Sequence, residues 1–431
     1  MLYENLSVSE NGHLCFAGYD TTALATQYGT PLMLLDENRI RSRCQVYKQA
    51  MAEYFPAGSM PLFASKALSF KGIYSIMAQE GIGIDVVSSG ELYTALEAGF
   101  PPERMYFHGN NKTDFDIRFA IQSHIGYFVC DNIPELEAIE QEAAQQDVTQ
   151  KILLRLAPGI DAHTHEKINT GRIDSKFGVA IETGQAEELV ALALQKPHIA
   201  LCGYHCHIGS QIFEHTPFCD AAVMMLDFMA QMQRKYGYQA KILNLGGGMA
   251  VPYTEKDPTV DYSENIRKIS ALIQKVCREK SLDVPVVLME PGRSIVADSG
   301  ITLYTVGGAK IIPDLKNYLM VDGGMTDNPR YTLYQSEYTV CAPEYMHDTP
   351  DMHYSIAGRC CESGDLIQEN VPLPKLNRGD LLAVLTTGAY NYSMASNYNR
   401  LTRPAVVLIG EEGPKIAVRR ESLSDLIRND V

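Results

Sequence analysis

The stretch Leu62-Phe63-Ala64-Ser65-Lys66-Ala67 decides how the rest of the chain is read. Apolar and small residues carry a single lysine to the end of an expected strand. A helical pattern then starts at Ser69, with Phe70, Ile73, Tyr74, Ile76 and Met77 at its apolar positions. Burying an ammonium is costly unless it is paired or neutralised. A lysine at this point either snorkels to water from the strand end or, partly desolvated, serves as an amine that can form a Schiff base with a carbonyl compound.

Outward from Lys66 a rhythm appears. Apolar strand-like runs begin near Leu62, Ile84, Met105, Tyr127, Ile152, Ile199, Ile242 and Val286. Helical stretches lie between them, at 91–98, 114–125, 134–144, 186–195, 218–236 and 262–280. The helix after Val87 opens on Ser88-Ser89-Gly90-Glu91, a capping-box pattern, and closes at Gly99, a left-handed cap. Alternating strands and helices predict parallel β-α units, and eight of them over this length suit a (β/α)8 TIM barrel. An open doubly wound sheet is the alternative. In a barrel the residues just after each strand converge on one face. Here those are Lys66, Asp85 to Ser89, His108 to Asn110, Arg155, His205 to Ser210, Gly246 to Gly248 and Glu290 to Arg293.

After Arg293 the rhythm changes. Short runs at 302–306, 318–321, 338–341, 354–357, 381–386, 405–409 and 415–418 are separated by Gly, Pro, Asp and Asn, and one helix is expected at 421–427. This predicts an all-β domain, a sandwich or small barrel.

The chain has 431 residues, which suggests two domains. Its 45% hydrophobic and 21% charged content is that of a globular protein. A net charge of −15 argues against a nucleic-acid partner held through phosphates. The first residues lack the basic and apolar regions of a signal peptide, and no apolar run approaches the ~20 residues of a membrane span. The ten cysteines show no metal-ligand spacing and are expected as reduced thiols, so the expected location is cytoplasmic.

Four motifs carry chemistry. Asn244-Leu245-Gly246-Gly247-Gly248-Met249 runs a strand into three glycines, which form either a phosphate-binding nest or a plain flexible turn. His205-Cys206-His207-Ile208-Gly209-Ser210 puts two histidines on one strand face. A metal would need further ligands; a stacking His207 with Ser210 on a phosphate is the stronger functional reading, beside ordinary buried histidines. Glu290-Pro291-Gly292-Arg293 ends an apolar run, where Glu290 either pairs with Arg293 or holds a protonated ring nitrogen. Cys360-Cys361-Glu362-Ser363-Gly364-Asp365 holds vicinal thiols, too strained for a disulfide, one of which next to a carboxylate can donate a proton.

Together the stretches FASKA (63–67), GIDVVSSGEL (83–92), RIDSKFGV (172–179), HCHIGSQ (205–211), NLGGG (244–248), EPGRSIVADSG (290–300), VDGGMTDNPR (321–330), CESGD (361–365) and GAYNYSMASNYNR (388–400) resemble the fold-type III, pyridoxal-phosphate-dependent amino-acid decarboxylases, in order and over nearly the whole chain. CESGD and GAYNYSMASNYN point more narrowly to members that convert meso-2,6-diaminopimelate to L-lysine and CO2. Relatives acting on D-ornithine, D-lysine, arginine or carboxynorspermidine are the alternative. The resemblance implies a pyridoxal-binding barrel over 36–293 and a β-sandwich or Greek-key domain from 1–35 and 294–431. It also implies a homodimer with shared active sites, acting on a small amino acid.

It assigns roles by residue. Lys66 carries pyridoxal 5′-phosphate as a Schiff base, His207 stacks on its ring and Glu290 holds its ring nitrogen. Ser210, Gly246, Gly247, Gly248 and Tyr390 hold the phosphate, with Asp85, Arg155, Gly292 and Arg293 also at the cofactor. Arg293, Arg330, Tyr334, Glu362 and Tyr390 contact substrate. Cys361 and Glu362 reach in from the other subunit, and Cys361 is the proton donor, with Lys66 its competitor. Tyr331 stands where the family often has proline, and Cys360 precedes the expected Cys361.

Overall fold

The computed structural model describes residues 2–160 and 175–431. Arg172, Ile173 and Asp174 of the RIDSKFGV stretch lie outside the described residues. The chain forms two compact units. One comprises Arg43–Ala250 and Thr259–Gly292, the other Met1–Ser42, Val251–Pro258 and Arg293–Val431.

The first unit is built on eight strands, β1 (Met60–Ala64), β2 (Gly83–Val86), β3 (Met105–Phe107), β4 (Tyr127–Cys130), β5 (Gln150–Ala157), β6 (Ile199–His205), β7 (Ile242–Asn244) and β8 (Val286–Met289). Each pairs in parallel with the next in sequence, and β8 pairs with β1, so the sheet closes on itself. That closure settles the choice between barrel and open sheet. All eight strands start within two residues of the expected positions, because each is a nearly continuous apolar run buried on both faces. Leu62, Tyr106, Val129, Leu153, Ile242 and Leu288 project into one buried cluster, each side chain contributing roughly 1.5–3 kcal/mol by leaving water. Gly203 marks where β6 presses on β7: a Cβ there would lie 1.9 Å from the Ile242 carbonyl oxygen.

Local signals set the helices. Ser88 Oγ accepts the Glu91 amide at the start of Ser89–Glu97, and Gly99 takes φ +74 just beyond its end. The Glu91 carboxylate bonds the Val87 amide rather than that of Ser88, so the box closes one residue early. The helix after Lys66 begins at Lys71, two residues later than the periodicity predicts. Residues 65–67 make a single 3-10 turn, and Phe70 is extended.

In the second unit a mixed sheet runs in the spatial order Leu366–Leu373, Met352–Ala357, Lys316–Val321, Gly300–Ile312, Leu32–Asp36, Ala405–Gly410, Gly413–Val418. The N-terminal strand sits inside it. Leu32–Leu35 pairs antiparallel with Gly300–Leu303, and Leu32–Asp36 pairs parallel with Ala405–Ile409. Leu34, Ile301, Leu303, Ala383 and Val407 form its core with Leu14 and Phe16 from a small N-terminal sheet. Two elements depart from expectation. The strand Leu366–Leu373 was hidden because Glu369, Asn370 and Pro372 break its apolar pattern, and Asn370 turns left-handed at φ +55. A short helix, Arg330–Tyr334, interrupts the strands.

Candidate active site

The rim of the barrel gathers the polar strand ends around a cavity of about 360 Å³. Lys66, Asp85, His108, Arg155, His205, His207 and Glu290 line it, a volume within the range of small-molecule sites. Lys66 stands on the one-turn helix after β1 and is exposed where it lines this cavity, which agrees with the water-reaching alternative of the two the sequence offered. Its turn is held from below, with the Ser65 amide donating to Asp85 Oδ1 at 3.1 Å and Ser65 Oγ bonding the Asp85 carbonyl. Gly292, after β8, has no room for a side chain: a Cβ would come within 2.8 Å of the Ala64 Cβ and 3.0 Å of the Ala67 Cβ. β8 can therefore press its end against the lysine turn.

Glu290 lies at the centre and is buried. Asn244 Nδ2 donates to its Oε1 at 2.7 Å, and His205 Nε2 is 3.2 Å from its Oε2. His108 Nε2 lies 2.9 Å from Oε1. Burial alone would raise this acid; the two histidines outweigh it and hold Glu290 well below the usual carboxylate range. Burial also lowers His108 and His205, the latter to about 4, and of the two rings His205 hydrogen-bonds Glu290 while His108 lies against Oε1. The nitrogens and carboxylate of His108, His205 and Glu290 lie within 4.8 Å of one another, a spacing a metal could use.

Asp85 differs. Burial and the Glu290 charge push its carboxyl up to about 8, against the pull of Lys66. His207 is neutral, its imidazole held well below the usual range by burial and the nearby Lys66 and Arg155 cations. Arg155 lies over the Phe177 ring at 4.3 Å, with Asp131 Oδ1 3.9 Å from its Nε.

The glycine loop after β7 is wedged between its neighbours. A Cβ on Gly246 would meet the Cys206 carbonyl oxygen at 2.5 Å and His207 Nδ1 at 2.9 Å. One on Gly247 would meet the Glu290 carbonyl oxygen at 2.0 Å, and one on Gly248 the Gly209 oxygen, next to Ser210, at 2.4 Å. Gly246 and Gly248 have φ +68 and +125. Three adjacent positions exclude every side chain, so the loop is closely packed against its neighbouring strands and is not a flexible turn.

In the second unit the other expected residues form two groups. Arg293 and Arg330 are buried and share the Tyr390 ring, their guanidinium carbons 4.8 and 5.5 Å from its centre. Arg293 Nη1 donates to Tyr253 OH at 2.6 Å, and Arg330 lies over Tyr334 and bonds Ser336. Tyr390 takes φ +63, a costly conformation for a tyrosine. Cys361 and Glu362 are exposed on a loop pinned by buried Asp365, which accepts the Met325 and Cys360 amides. Burial and Asp365 push the Cys360 thiol up to about 12, whereas Cys361 faces solvent.

His108 and His205 line the cavity and Asn244 bonds Glu290 beside them, and the motifs assigned none of the three; in the second unit Tyr253 and Tyr338 pack edge-to-face beside Arg293. Asn244 and the histidines did stand at strand ends, which was the available signal.

A profile of the pyridoxal-dependent decarboxylases, pyridoxal binding domain, matches residues 37–297. The chain belongs to the pyridoxal-dependent decarboxylases. Within that class it falls among the diaminopimelate decarboxylases. It is 44% identical to that of Bacillus subtilis over 98% of this chain and 96% of the relative, and 41% identical to that of Staphylococcus aureus over 98% of both. The diaminopimelate decarboxylase of M. jannaschii, solved in complex with L-lysine, superposes with a TM-score of 0.91 at 33% identity, covering 99% of this chain and 98% of that one. Among the described residues no helix is long and apolar enough to cross a membrane.

Proposed function

We propose that this chain, with pyridoxal 5′-phosphate as cofactor, removes one carboxyl group of meso-2,6-diaminopimelate and releases L-lysine and CO2. The observation that carries the reading is the barrel cavity that an exposed lysine and an ionised buried carboxylate line together, with a side-chain-excluding glycine loop tied to that carboxylate through Asn244. Those three features fit the aldehyde, the ring nitrogen and the phosphate of pyridoxal phosphate. The choice of substrate rests on the full-length relatives.

Each residue then has a task. Lys66 would hold the cofactor through its amine. Gly246, Gly247, Gly248, Ser210 and Tyr390 hold the phosphate, and His207, being neutral, stacks on the ring without repelling its positive charge. Glu290 keeps the ring nitrogen protonated, and Asp85 and Arg155 fix the groups around it. When bound, the cofactor supplies an electron sink for the pair left on Cα as CO2 departs. A proton must then reach Cα. Cys361 is the proposed donor and Lys66 the competing one. Arg293 and Arg330 offer guanidinium forks to the far carboxylate of the substrate, and Glu362 an anion to its far ammonium, with Tyr334 beside them. The exposure of Cys361 and Glu362 supports a homodimer in which a partner copy uses them.

A second reading, a lysine or ornithine decarboxylase, is favoured by one observation. The lysine/ornithine decarboxylase of Vibrio vulnificus, solved with putrescine, superposes with a TM-score of 0.75 at 26% identity over 91% of this chain. Product analysis separates the two readings. Lysine from meso-diaminopimelate supports the first, and a diamine from lysine or ornithine supports the second.

A further inference from the structure

Glu290 has four acceptor positions, two on each oxygen. Around Oε1 lie Asn244 Nδ2 at 2.7 Å and His108 Nε2 at 2.9 Å; around Oε2 lies His205 Nε2 at 3.2 Å. Two positions are therefore hydrogen-bonded, by Asn244 on Oε1 and His205 on Oε2; His108 Nε2 stands against Oε1 without an aligned hydrogen bond, and among the described residues one position on Oε2 has no donor. Asn244 does a second job. Its Oδ1 accepts the Gly246 amide at 2.9 Å, and the Gly246 carbonyl in turn accepts the Glu290 amide at 2.8 Å. One buried side chain thus ties the first glycine of the loop to the carboxylate at the end of the neighbouring strand. Both rings are fixed in place, meeting edge-to-face with centroids 4.8 Å apart.

We infer that Asn244 and His205, with His108 packed against Oε1, are positioning residues that leave Glu290 an open acceptor on Oε2, so that the proton shared with a cofactor ring nitrogen rests on the ring and not on the carboxylate. Each hydrogen bond donated to a carboxylate lowers its proton affinity. Of the other charged groups facing the cavity, Lys66 and Arg155 act in the same direction, and Asp85 acts against it when ionised. Asn244 adds registry, because the loop and the carboxylate cannot shift independently while it bridges them. The inference rests on the cofactor reading above and adds residues whose partner is Glu290 itself.

The test uses the resting holoprotein loaded with cofactor labelled with 15N at the ring nitrogen, and compares wild type with His205→Phe, His205→Gln and Asn244→Leu. The wild-type 15N signal should report a protonated ring. It should move toward the neutral-pyridine position in His205→Phe and Asn244→Leu, and return in His205→Gln, which restores an N–H donor. Loss of one hydrogen bond to a charged group should also weaken cofactor binding in Asn244→Leu by about tenfold or more. A wild-type 15N position in cofactor-loaded His205→Phe and Asn244→Leu overturns the inference. If either fails to fold, His108→Phe replaces it, with the same two outcomes. A wild-type protein that takes up no cofactor is a separate result and contradicts the cofactor reading instead.

Discussion

Two carboxylates of the same barrel rim, Asp85 and Glu290, have opposite protonation preferences because of the donors around them. Glu290 has Asn244 and two imidazoles; Asp85 has one amide and a carboxylate for a neighbour. The folded pKa of Asp85, about 8, lies above its ordinary 3.8. Between those values the folded protein binds more protons than the unfolded chain, so this group's contribution to stability is present below about pH 4 and is lost as pH rises through 8. In cofactor-free protein, denaturant unfolding should show stability declining across that window, by at most about 1.4 kcal/mol per pH unit from one group. Asp85→Asn should flatten the decline. Lys66→Ala should abolish turnover and the visible absorption of a protonated imine; an unchanged spectrum would refute the role of Lys66. The importance of Lys66, Glu290 and His207 was legible in the sequence because each follows an apolar run. The link from Asn244 to Glu290 was not, since 46 residues separate them and only the parallel pairing of β7 with β8 brings them together.

At the scale of elements, glycines distinguish open turns from closely packed loops. Gly99 has φ +74 and open space around its missing Cβ, so Gly99→Ala should cost only backbone strain, roughly 1–2 kcal/mol, and leave cofactor affinity unchanged. Gly247→Ala drives a methyl to 2.0 Å from the Glu290 carbonyl oxygen and should displace the loop. Fluorescence titration should show cofactor binding weakened at least tenfold; wild-type affinity would refute the loop's proposed hold on the phosphate. The triple glycine alone could not say which kind it was, because that depends on the Cys206, Gly209 and Glu290 carbonyls brought up by other strands. Strand positions were readable for the barrel, where both faces are buried. They were less so at Leu366–Leu373, where Glu369 instead bonds Lys316 and Tyr331 across the sheet.

At the scale of the whole molecule, the proposed dimer predicts complementation. Lys66→Ala and Cys361→Ala, each inactive alone, should regain part of the activity when mixed under conditions of proven subunit exchange, because some hybrid dimers carry one intact site. No recovery would put both residues to work within one chain. Arg330 is buried among tyrosines, and no carboxylate lies within ion-pair distance of it among the described residues, which suits a cation kept for an incoming anion. Arg330→Met should therefore damage turnover far more than cofactor affinity.

On the proposed function, a substrate with a zwitterion at its far end would offer a carboxylate to Arg330, whereas lysine or ornithine would leave that buried guanidinium with no carboxylate within ion-pair distance among the described residues. Sites built for a polar group reject analogues lacking it by large factors, here roughly a thousandfold or more. The most direct measurement is kcat/KM for CO2 release from meso-diaminopimelate, D-lysine, D-ornithine and L-arginine by the same cofactor-loaded preparation, with products identified. The account predicts L-lysine from meso-diaminopimelate and at most traces of turnover from the other three. Equal efficiency on D-lysine or D-ornithine would contradict it.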